Sequence, residues 1–253
     1  MDRYRFQILD GTSLKLLALA FMTVDHVGMI IFPRVIVLRL IGRLAFPLFA
    51  FMIAEGCYYT RNKKKYFGLI LAVGILCQVI AYVSQRTLYM CTLITFAMSL
   101  VIIFALQRAI PDRNRQKGTD PGKISGPWCL ITAGLIVLSA FITIWLPKLL
   151  PGTDFKVDYG FFGVLLPVVV YLPNLFLTDK GVLCRLIQTA LLAVWVFPLW
   201  LTSNKYEWFA VFSAVFLLLY NGRRGRLRLK YLFYIYYPVH LGVIYMIGTV
   251  ISK

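Results

Sequence analysis

The two histidines of this chain, His26 and His240, lie inside long apolar segments, and His26 directly follows Asp25. Because an ionisable side chain in hydrocarbon costs several kcal/mol, such a residue marks a functional site by default. A neutral imidazole can take a proton from an amine or a hydroxyl group, and a neighbouring carboxylate can fix the imidazole tautomer. These residue types therefore indicate general-base chemistry in an apolar setting.

Two arginines, Arg39 and Arg43, follow in the next apolar segment. Residues four positions apart share one face of a helix, so both guanidinium groups can point into the same cavity. Adjacent residues on a helix point about 100° apart, and Asp25 can therefore serve His26 or pair instead with an arginine. A catalytic site and a structural ion-pair cluster are both consistent with this group of side chains.

The composition indicates which elements must position these side chains. Of the 253 residues, 60% are hydrophobic and only 15% are charged, and the mean hydropathy is +0.78. Apolar stretches of about 20 residues recur, and each is long enough to cross a bilayer as a helix. We therefore predict an all-α polytopic membrane protein, a single domain over residues 1–253 with about nine transmembrane helices. The spans are expected near residues 14–32, 35–60, 66–84, 89–107, 128–147, 160–178, 182–201, 206–220 and 231–251.

The formal net charge of +17 raises the question of nucleic acid, which the distribution of basic residues answers. If the N-terminus is cytoplasmic, 18 of the 27 basic residues fall in inner segments and six in outer segments. The positive-inside rule produces this pattern, whereas a nucleic-acid-binding protein gathers its basic residues on one face. We therefore predict a cytoplasmic N-terminus, the lipid bilayer as partner, no nucleic acid, and a basic cytoplasmic loop at residues 108–126.

Helical rise indicates that the polar groups lie at similar depths. At about 1.5 Å per residue, His26 lies roughly 18 Å and His240 roughly 14 Å from the inner boundary, and Arg43 lies roughly 12 Å from the outer boundary. In a hydrocarbon core of about 30 Å these depths nearly coincide. Three helices are therefore expected to bring polar side chains to one level, slightly outside the midplane.

Further polar groups are expected at the cytoplasmic ends of the helices. Glu55 lies near the inner end of the second span, and Asp10 and Lys15 lie near the start of the first. An interfacial ion pair is the simpler interpretation of these three residues. A run of four cations follows, here called the basic run: Arg61, Lys63, Lys64 and Lys65. The basic run is typical of a positive-inside anchor, and it also stands where an anionic cofactor would dock.

Other residues in the apolar segments have simpler interpretations. The tyrosines and tryptophans of the C-terminal quarter, Tyr236 among them, are expected to form belts at the membrane interfaces. Tyr237 is the exception, because it precedes His240 by three positions and shares its helical face. The five cysteines show no CxxC spacing, so neither a disulfide framework nor a metal site is predicted.

Five segments carry a resemblance to a known family. They are LDGTSLKLLALAFMTVDHVG, LRLIGRLAFPLFAFMIAEGCYYTRNKKKYFGLI, LITFAMSLVIIFAL, DYGFFGVLLPVVVYL and FYIYYPVHL, in this order along the chain. By these segments the chain resembles the TraX family, membrane proteins named for pilin acetylation, and through it the wider superfamily of transmembrane acyltransferases. The match is most specific in the first two segments.

The resemblance implies a membrane-embedded acyltransferase in the bacterial cytoplasmic membrane. The donor would be cytoplasmic acetyl-CoA or a related acyl-CoA. The acceptor would be an amine or a hydroxyl group at the outer face, on a pilin-like peptide or on an envelope glycan or lipid. Because CoA cannot cross the bilayer, the thioester must be presented through a polar channel in the helix bundle.

The resemblance also implies roles for the polar residues. His26 would be the general base or a transient acyl carrier, with Asp25 orienting or charging it and His240 closing the site. The remaining substrate contacts are expected at four residues: Arg39, Arg43, Glu55 and Tyr237. We place the CoA phosphates at the basic run and Lys15. The wider superfamily often has an arginine at the position of Lys15, so a bidentate role is not expected there.

Two functions of other classes fit the same composition. In a small proton-coupled transporter, Asp25, His26 and Arg43 would form a relay across the bundle. No internal repeat or pair of broken helices in the sequence supports that function. A non-catalytic membrane partner of an envelope complex is the other alternative. Binding of CoA separates the three functions, because only the acyltransferase requires it.

Overall fold

A computed structural model describes residues 7–111, 123–177, 181–225 and 230–251. Almost all regular structure in these residues is helical. The helices are α1 (Gly11–Ile30), α2 (Ile36–Gly42), α3 (Ala45–Tyr59), α4 (Lys63–Gln85), α5 (Thr92–Ala109), α6 (Gly126–Ala140), α7 (Leu146–Leu149), α8 (Gly160–Tyr171), α9 (Pro173–Phe176), α10 (Val182–Thr202), α11 (Ser213–Leu218) and α12 (Lys230–Ile251). A π-helical turn (Phe141–Trp145) joins α6 to α7, and a 3₁₀-helix (Glu207–Phe212) precedes α11. Two short strands are β1 (Tyr89–Met90) and β2 (Lys156–Val157).

The helices confirm the prediction of an all-α polytopic membrane protein. Among the described residues, six segments are long and apolar enough to cross a membrane: Gly11–Ile30, Ile36–Tyr59, Lys63–Gln85, Thr92–Ala109, Gly126–Leu149 and Val182–Thr202. Three shorter apolar helices, Gly160–Phe176, Glu207–Leu218 and Ile235–Ile251, fall at the remaining predicted spans. The eighth predicted span, residues 206–220, is slightly longer than the helical segment observed there, Glu207–Leu218.

The second predicted span is broken at Arg43 and Leu44, where the prediction was one continuous helix over residues 35–60. Pro47 explains the break, because proline lacks an N–H group and its ring clashes with the carbonyl four residues earlier, which is that of Arg43. The backbone tightens there. The N–H of Arg43 donates to the carbonyl of Leu40 (3.1 Å), and the N–H of Leu44 donates to the carbonyl of Ile41 (3.2 Å). Arg43 therefore lies in a turn between α2 and α3.

The chain folds as two compact units. The first unit comprises Met1–Met52 and Leu192–Lys253, and the second comprises Ile53–Leu191. The first unit contains the two histidines, and the second contains Glu55 and the basic run. Each unit is described by itself below, and the prediction of one domain over residues 1–253 stays a prediction.

Glycines permit the close approach of α1 and α2 in the first unit. A Cβ atom at Gly42 would overlap Asp25, whose Cα atom would be only 2.6 Å away. A Cβ atom at Gly28 would lie 2.6 Å from the Cβ atom of Leu38. Small residues at a helix crossing let the two backbones approach in this way. The approach places the carboxylate of Asp25 directly against α2.

The α1 helix begins at a side-chain cap. The carboxylate of Asp10 accepts hydrogen bonds from the backbone N–H groups of Thr12 (3.0 Å) and Ser13 (2.8 Å). These bonds hold the pKa of the Asp10 carboxyl below its usual range. Asp10 is therefore an N-cap of α1, and the interfacial ion pair expected among Asp10, Lys15 and Glu55 stays a prediction.

Removal of this cap is expected to destabilise the protein mildly. Asp10→Ala should lower the free energy of unfolding by about 1 kcal/mol, as measured by thermal unfolding in detergent. Because the pKa of Asp10 is lowered in the folded state, its ionised form stabilises the fold above the pKa of the unfolded chain, near 4, and that contribution is lost as the pH falls. Asp10→Asn is the matched control, because it keeps the acceptor oxygen and removes the titration. Equal pH dependence in wild type and Asp10→Asn would contradict this account.

Candidate functional site

A cluster of four charged side chains lies in the first unit. Nη1 of Arg39 donates to Oδ2 of Asp25 at 2.8 Å, and Nη2 of Arg43 donates to both carboxylate oxygens of Asp25. Nη1 of Arg43 also donates to Oε1 of Glu207 at 2.6 Å. Arg43 is 6% exposed and Glu207 is fully buried. Two guanidinium groups thus meet two carboxylates, and the cluster is neutral as a whole, as buried charges require.

The cluster settles the open question about Asp25. Its carboxylate bonds to Arg39 and Arg43, which is the arginine pairing that the sequence left open, and a role of Asp25 in orienting or charging His26 stays a prediction. The cause of this pairing is the close crossing at Gly42, which presses Asp25 onto α2 and the turn after it, where Arg39 and Arg43 lie. Asp25 still acts electrostatically on the ring of His26, as does Arg39.

The two histidines form a contact pair in the first unit. Nε2 of His240 lies 3.2 Å from Nδ1 of His26, and the ring centroids are 5.0 Å apart with an angle of 63° between the planes. Nδ1 of His26 also lies 2.9 Å from the carbonyl oxygen of Met22, and Nδ1 of His240 lies 2.9 Å from that of Tyr236. The α1 and α12 helices therefore bring together residues that stand 214 positions apart.

The contacts of this pair assign the neutral tautomers. A carbonyl oxygen only accepts hydrogen bonds, so each Nδ1 atom carries a proton. His240 then presents a lone pair on Nε2, which accepts from the Nδ1–H group of His26. The lone pair of His26 is left on its own Nε2 atom, which makes no hydrogen bond within the described part of the chain. His26 is held in the form of a general base.

Two tyrosines support the ring of His240. Tyr236 stacks on it with centroids 5.1 Å apart and planes 7° from parallel, and Tyr237 contacts it edge-on at 5.7 Å. The hydroxyl of Thr23 donates to the carbonyl of Leu19 at 2.8 Å, so the hydroxyl of Tyr236 donates to Thr23 at 2.6 Å. This chain of hydrogen bonds fixes the phenol that stacks on His240.

Sequence reasoning missed three residues of this site. Glu207 is an acid near the start of the predicted span 206–220, and the rule that selected His26 applies to it, but no role was predicted for it. Tyr236 was assigned to an interfacial belt, although its position four residues before His240 predicts a shared face. Gly42 carried no chemical signal, since the need for it appears only when α1 crosses α2.

The residues predicted to bind CoA divide between the two units. Lys15 is exposed on α1 in the first unit. In the second unit Glu55 is half-buried near the end of α3, and the basic run opens α4. Arg61, Lys64 and Lys65 are exposed there, whereas Lys63 is half-buried with its ammonium group 5.6 Å above the ring of Phe104.

The described residues offer little to a metal ion. Among them no group of three or more His, Cys, Asp or Glu side chains has the arrangement to hold one. All five cysteines lie in the described ranges, and each is a free thiol.

Comparisons with known proteins place the chain in context. A family model described as "TraX protein" matches residues 10–248. The chain is 24% identical over 263 residues to "Probable fimbrial assembly protein FimC, serogroup H1" of Dichelobacter nodosus, a match that covers 92% of this chain and 93% of that protein. It is 37% identical over 62 residues to the "Uncharacterized protein RP591" of Rickettsia prowazekii (strain Madrid E), covering 24% of this chain and 25% of that protein. No solved structure matches significantly.

Proposed function

Because this chain belongs to the TraX family, we propose that it is an acyltransferase of the bacterial cytoplasmic membrane that moves an acetyl group from acetyl-CoA to an amine or hydroxyl acceptor of the cell envelope. The observation that carries the proposal is the histidine pair, in which Nε2 of His26 makes no hydrogen bond within the described part of the chain, next to the neutral ion cluster of Asp25. A relative named as a probable fimbrial assembly protein favours a pilin-like peptide as the acceptor.

His26 would act as the general base. Its Nε2 atom takes the proton of the acceptor N–H or O–H group while the acceptor attacks the thioester carbonyl carbon. The new C–N or C–O bond forms a tetrahedral oxyanion, whose collapse breaks the C–S bond. The departing CoA thiolate then takes the proton from the imidazolium, which returns His26 to its starting form. No other reactant is needed.

His240 would stabilise the charged intermediate form of His26. When Nε2 of His26 is protonated, its Nδ1–H group still donates to the carbonyl of Met22 and to Nε2 of His240. In the serine-protease triad a carboxylate holds the histidine tautomer and stabilises the imidazolium. Here a neutral histidine supplies the orientation, and Asp25 adds its negative charge from a distance. His240 is therefore a positioning residue.

The two arginines would have different roles. Arg43 is buried and held by carboxylates on two sides, Asp25 and Glu207, so it braces the cluster. Arg39 donates to Asp25 through one nitrogen only, its side chain is 16% exposed, and it acts electrostatically on His26. Its other N–H groups are therefore the better placed to stabilise an oxyanion that develops beside His26.

Substitution at Arg39 tests this assignment. Arg39→Lys keeps the positive charge beside Asp25 but removes the planar fork of donors. We expect kcat to fall by about 10²-fold, the cost of one lost oxyanion donor, with little change in the binding of acetyl-CoA. The matched control is Arg34→Lys at an exposed arginine of the preceding loop, which should leave kcat unchanged. If Arg39→Lys turned over at the wild-type rate, a group other than Arg39 would stabilise the oxyanion.

The proposed function itself is tested with purified protein in nanodiscs and radiolabelled acetyl-CoA. Three acceptors of defined chemistry cover the possible classes: a short peptide with a free N-terminal amine, glucosamine, and phosphatidylethanolamine in the disc. Acetyl transfer to any of them supports an acyltransferase, and the preferred acceptor identifies the class. A well-folded protein that neither binds acetyl-CoA nor releases CoA would overturn the proposal in favour of a transporter or a non-catalytic partner.

A further inference from the structure

Polar side chains join the ends of several helices within the second unit. Nε2 of Gln107, near the end of α5, donates to the carbonyl of Cys57 on α3 at 3.2 Å and to the hydroxyl of Tyr171 at the end of α8 at 2.6 Å. Sγ of Cys184, at the start of α10, lies 3.9 Å from Oδ1 of Asn174 on α9. By the charge distribution, all these helix ends are predicted to face the cytoplasm.

Two atoms of this group are buried without a hydrogen-bond partner among the described residues. They are Oε1 of Gln107, an acceptor, and Nδ2 of Asn174, a donor. Asn174 is only 1% exposed. A buried polar atom that stays unsatisfied costs about 1–3 kcal/mol, so each such atom requires an explanation. Gln107 bonds to the hydroxyl of Tyr171 at the end of α8, and Asn174 follows Tyr171 by three positions in the chain.

The unsatisfied pair has the chemistry of an amide receptor. A secondary amide carries one N–H donor and one carbonyl acceptor. The Oε1 atom of Gln107 can accept from that N–H group, and the Nδ2 group of Asn174 can donate to that carbonyl. We call Gln107, Tyr171 and Asn174 the amide centre. Inside a poorly hydrated site, such bonds discriminate strongly between a ligand that has the matching group and one that lacks it.

Cations lie at the same helix ends. The second unit carries the basic run before and at the start of α4, Arg108 near the end of α5, Lys123 before α6, and Arg185 near the start of α10. Glu55 and Arg185 both act electrostatically on Tyr59 at the end of α3. Most of these cations are exposed, and such a concentration of positive charge raises the local concentration of anionic ligands and speeds their association.

We propose that the amide centre binds the pantetheine arm of acyl-CoA, with the phosphates held by the exposed cations at the neighbouring helix ends. Pantetheine contains two secondary amides in a flexible chain, and the phosphates of CoA lie at its other end. A free nucleotide would satisfy the cations but not the amide centre. This inference rests on the proposed function and assigns the donor site to the second unit.

Two substitutions test the amide centre directly. Gln107→Leu and Asn174→Leu remove the unsatisfied atoms and leave branched apolar side chains with the same number of non-hydrogen atoms as asparagine and one fewer than glutamine. In nanodiscs, each should weaken CoA binding about tenfold or more by calorimetry. Binding of adenosine 3′,5′-bisphosphate, which has phosphates but no pantetheine, should stay unchanged. The matched control is Gln78→Leu on α4, because Gln78 also carries a buried Oε1 atom without a partner and donates through Nε2 to a backbone carbonyl, that of Thr87, at 3.3 Å.

A second measurement does not depend on the stability of the variants. A CoA analogue with an ester in place of one pantetheine amide lacks one N–H donor. Wild type should bind the analogue that lacks the contacted N–H about tenfold more weakly than CoA, whereas Gln107→Leu should bind both equally. Equal binding of CoA and both single-ester analogues by the wild type would overturn the assignment, as would unchanged CoA affinity in both leucine variants.

The two proposals fail in different ways. If the wild type binds acetyl-CoA and transfers the acetyl group while the leucine variants bind CoA normally, the amide centre is wrong and the acyltransferase stands. If the wild type binds neither CoA nor acetyl-CoA, the acyltransferase itself is wrong. Equal weakening of CoA and adenosine 3′,5′-bisphosphate by Gln107→Leu would assign the residue to the nucleotide end and overturn the pantetheine assignment.

Discussion

His26→Ala is expected to lower acetyl transfer by about 10²–10⁴-fold, the contribution of a positioned general base. In the tautomers of the histidine pair, the lone pair on Nε2 of His26 is the one that can accept a proton from the acceptor. Alanine removes that atom. Binding of acetyl-CoA should change little. The measurement is single-turnover transfer from radiolabelled acetyl-CoA in nanodiscs, with CoA binding followed in parallel.

Chemical rescue separates a catalytic role of His26 from a structural one. Free imidazole should restore part of the activity of His26→Ala, because it can enter the vacated volume and accept the proton. His26→Gln is the control for size and polarity, and it should be as inactive as alanine but without rescue. His240→Ala should lose less activity than His26→Ala, since His240 acts through His26 and not on the substrate. Full activity of His26→Ala would overturn the mechanism.

Mass spectrometry of the reacting protein distinguishes a general base from an acyl carrier. If the imidazole of His26 carried the acetyl group, intact-mass spectrometry of wild type quenched after mixing with acetyl-CoA would detect a gain of one acetyl group on the histidine. We expect no such gain, because the acceptor attacks the thioester directly in the proposed mechanism. Accumulation of acetyl-His26 would assign nucleophilic catalysis to the same atom.

Much of the first unit could be predicted from local rules. The rarity of ionisable residues in apolar segments selected His26, His240 and Asp25, and helical spacing placed Arg39 and Arg43 on one face. Hydropathy predicted the helices, since membrane spans obey one strong constraint on length and composition. These features depend on residues close together in sequence.

The remaining features depend on tertiary contacts. The partner of Asp25 follows from the crossing of α1 and α2, which Gly42 permits and which no local pattern encodes. The break before Leu44 follows from Pro47, a signal that was present but was outweighed by continuous hydropathy. Glu207 meets Arg43 across 164 positions of sequence. The amide centre likewise becomes visible only when burial leaves Gln107 and Asn174 each with an unsatisfied atom.

Glu207→Leu is expected to cause a large loss of stability. It removes one of the two carboxylates that pair with Arg43, and the carboxylate of Asp25 then faces two guanidinium groups, those of Arg39 and Arg43. Breaking a buried pair in this way leaves an uncompensated charge and costs about 3–5 kcal/mol. Unfolding in mixed micelles with increasing denaturing detergent measures the loss.

The matched double variant tests whether charge balance is the cause. Arg43→Met with Glu207→Leu removes one charge of each sign and leaves the neutral pair of Asp25 and Arg39. Replacing a buried ion pair with apolar side chains of similar volume is often close to neutral, so the double variant should be more stable than Glu207→Leu alone. Glu207→Gln keeps hydrogen-bonding atoms but removes the charge, and it should resemble the leucine variant. Arg43→Met alone completes the comparison. If the stability losses of Glu207→Leu and Arg43→Met simply added in the double variant, charge balance would not be what stabilises the cluster.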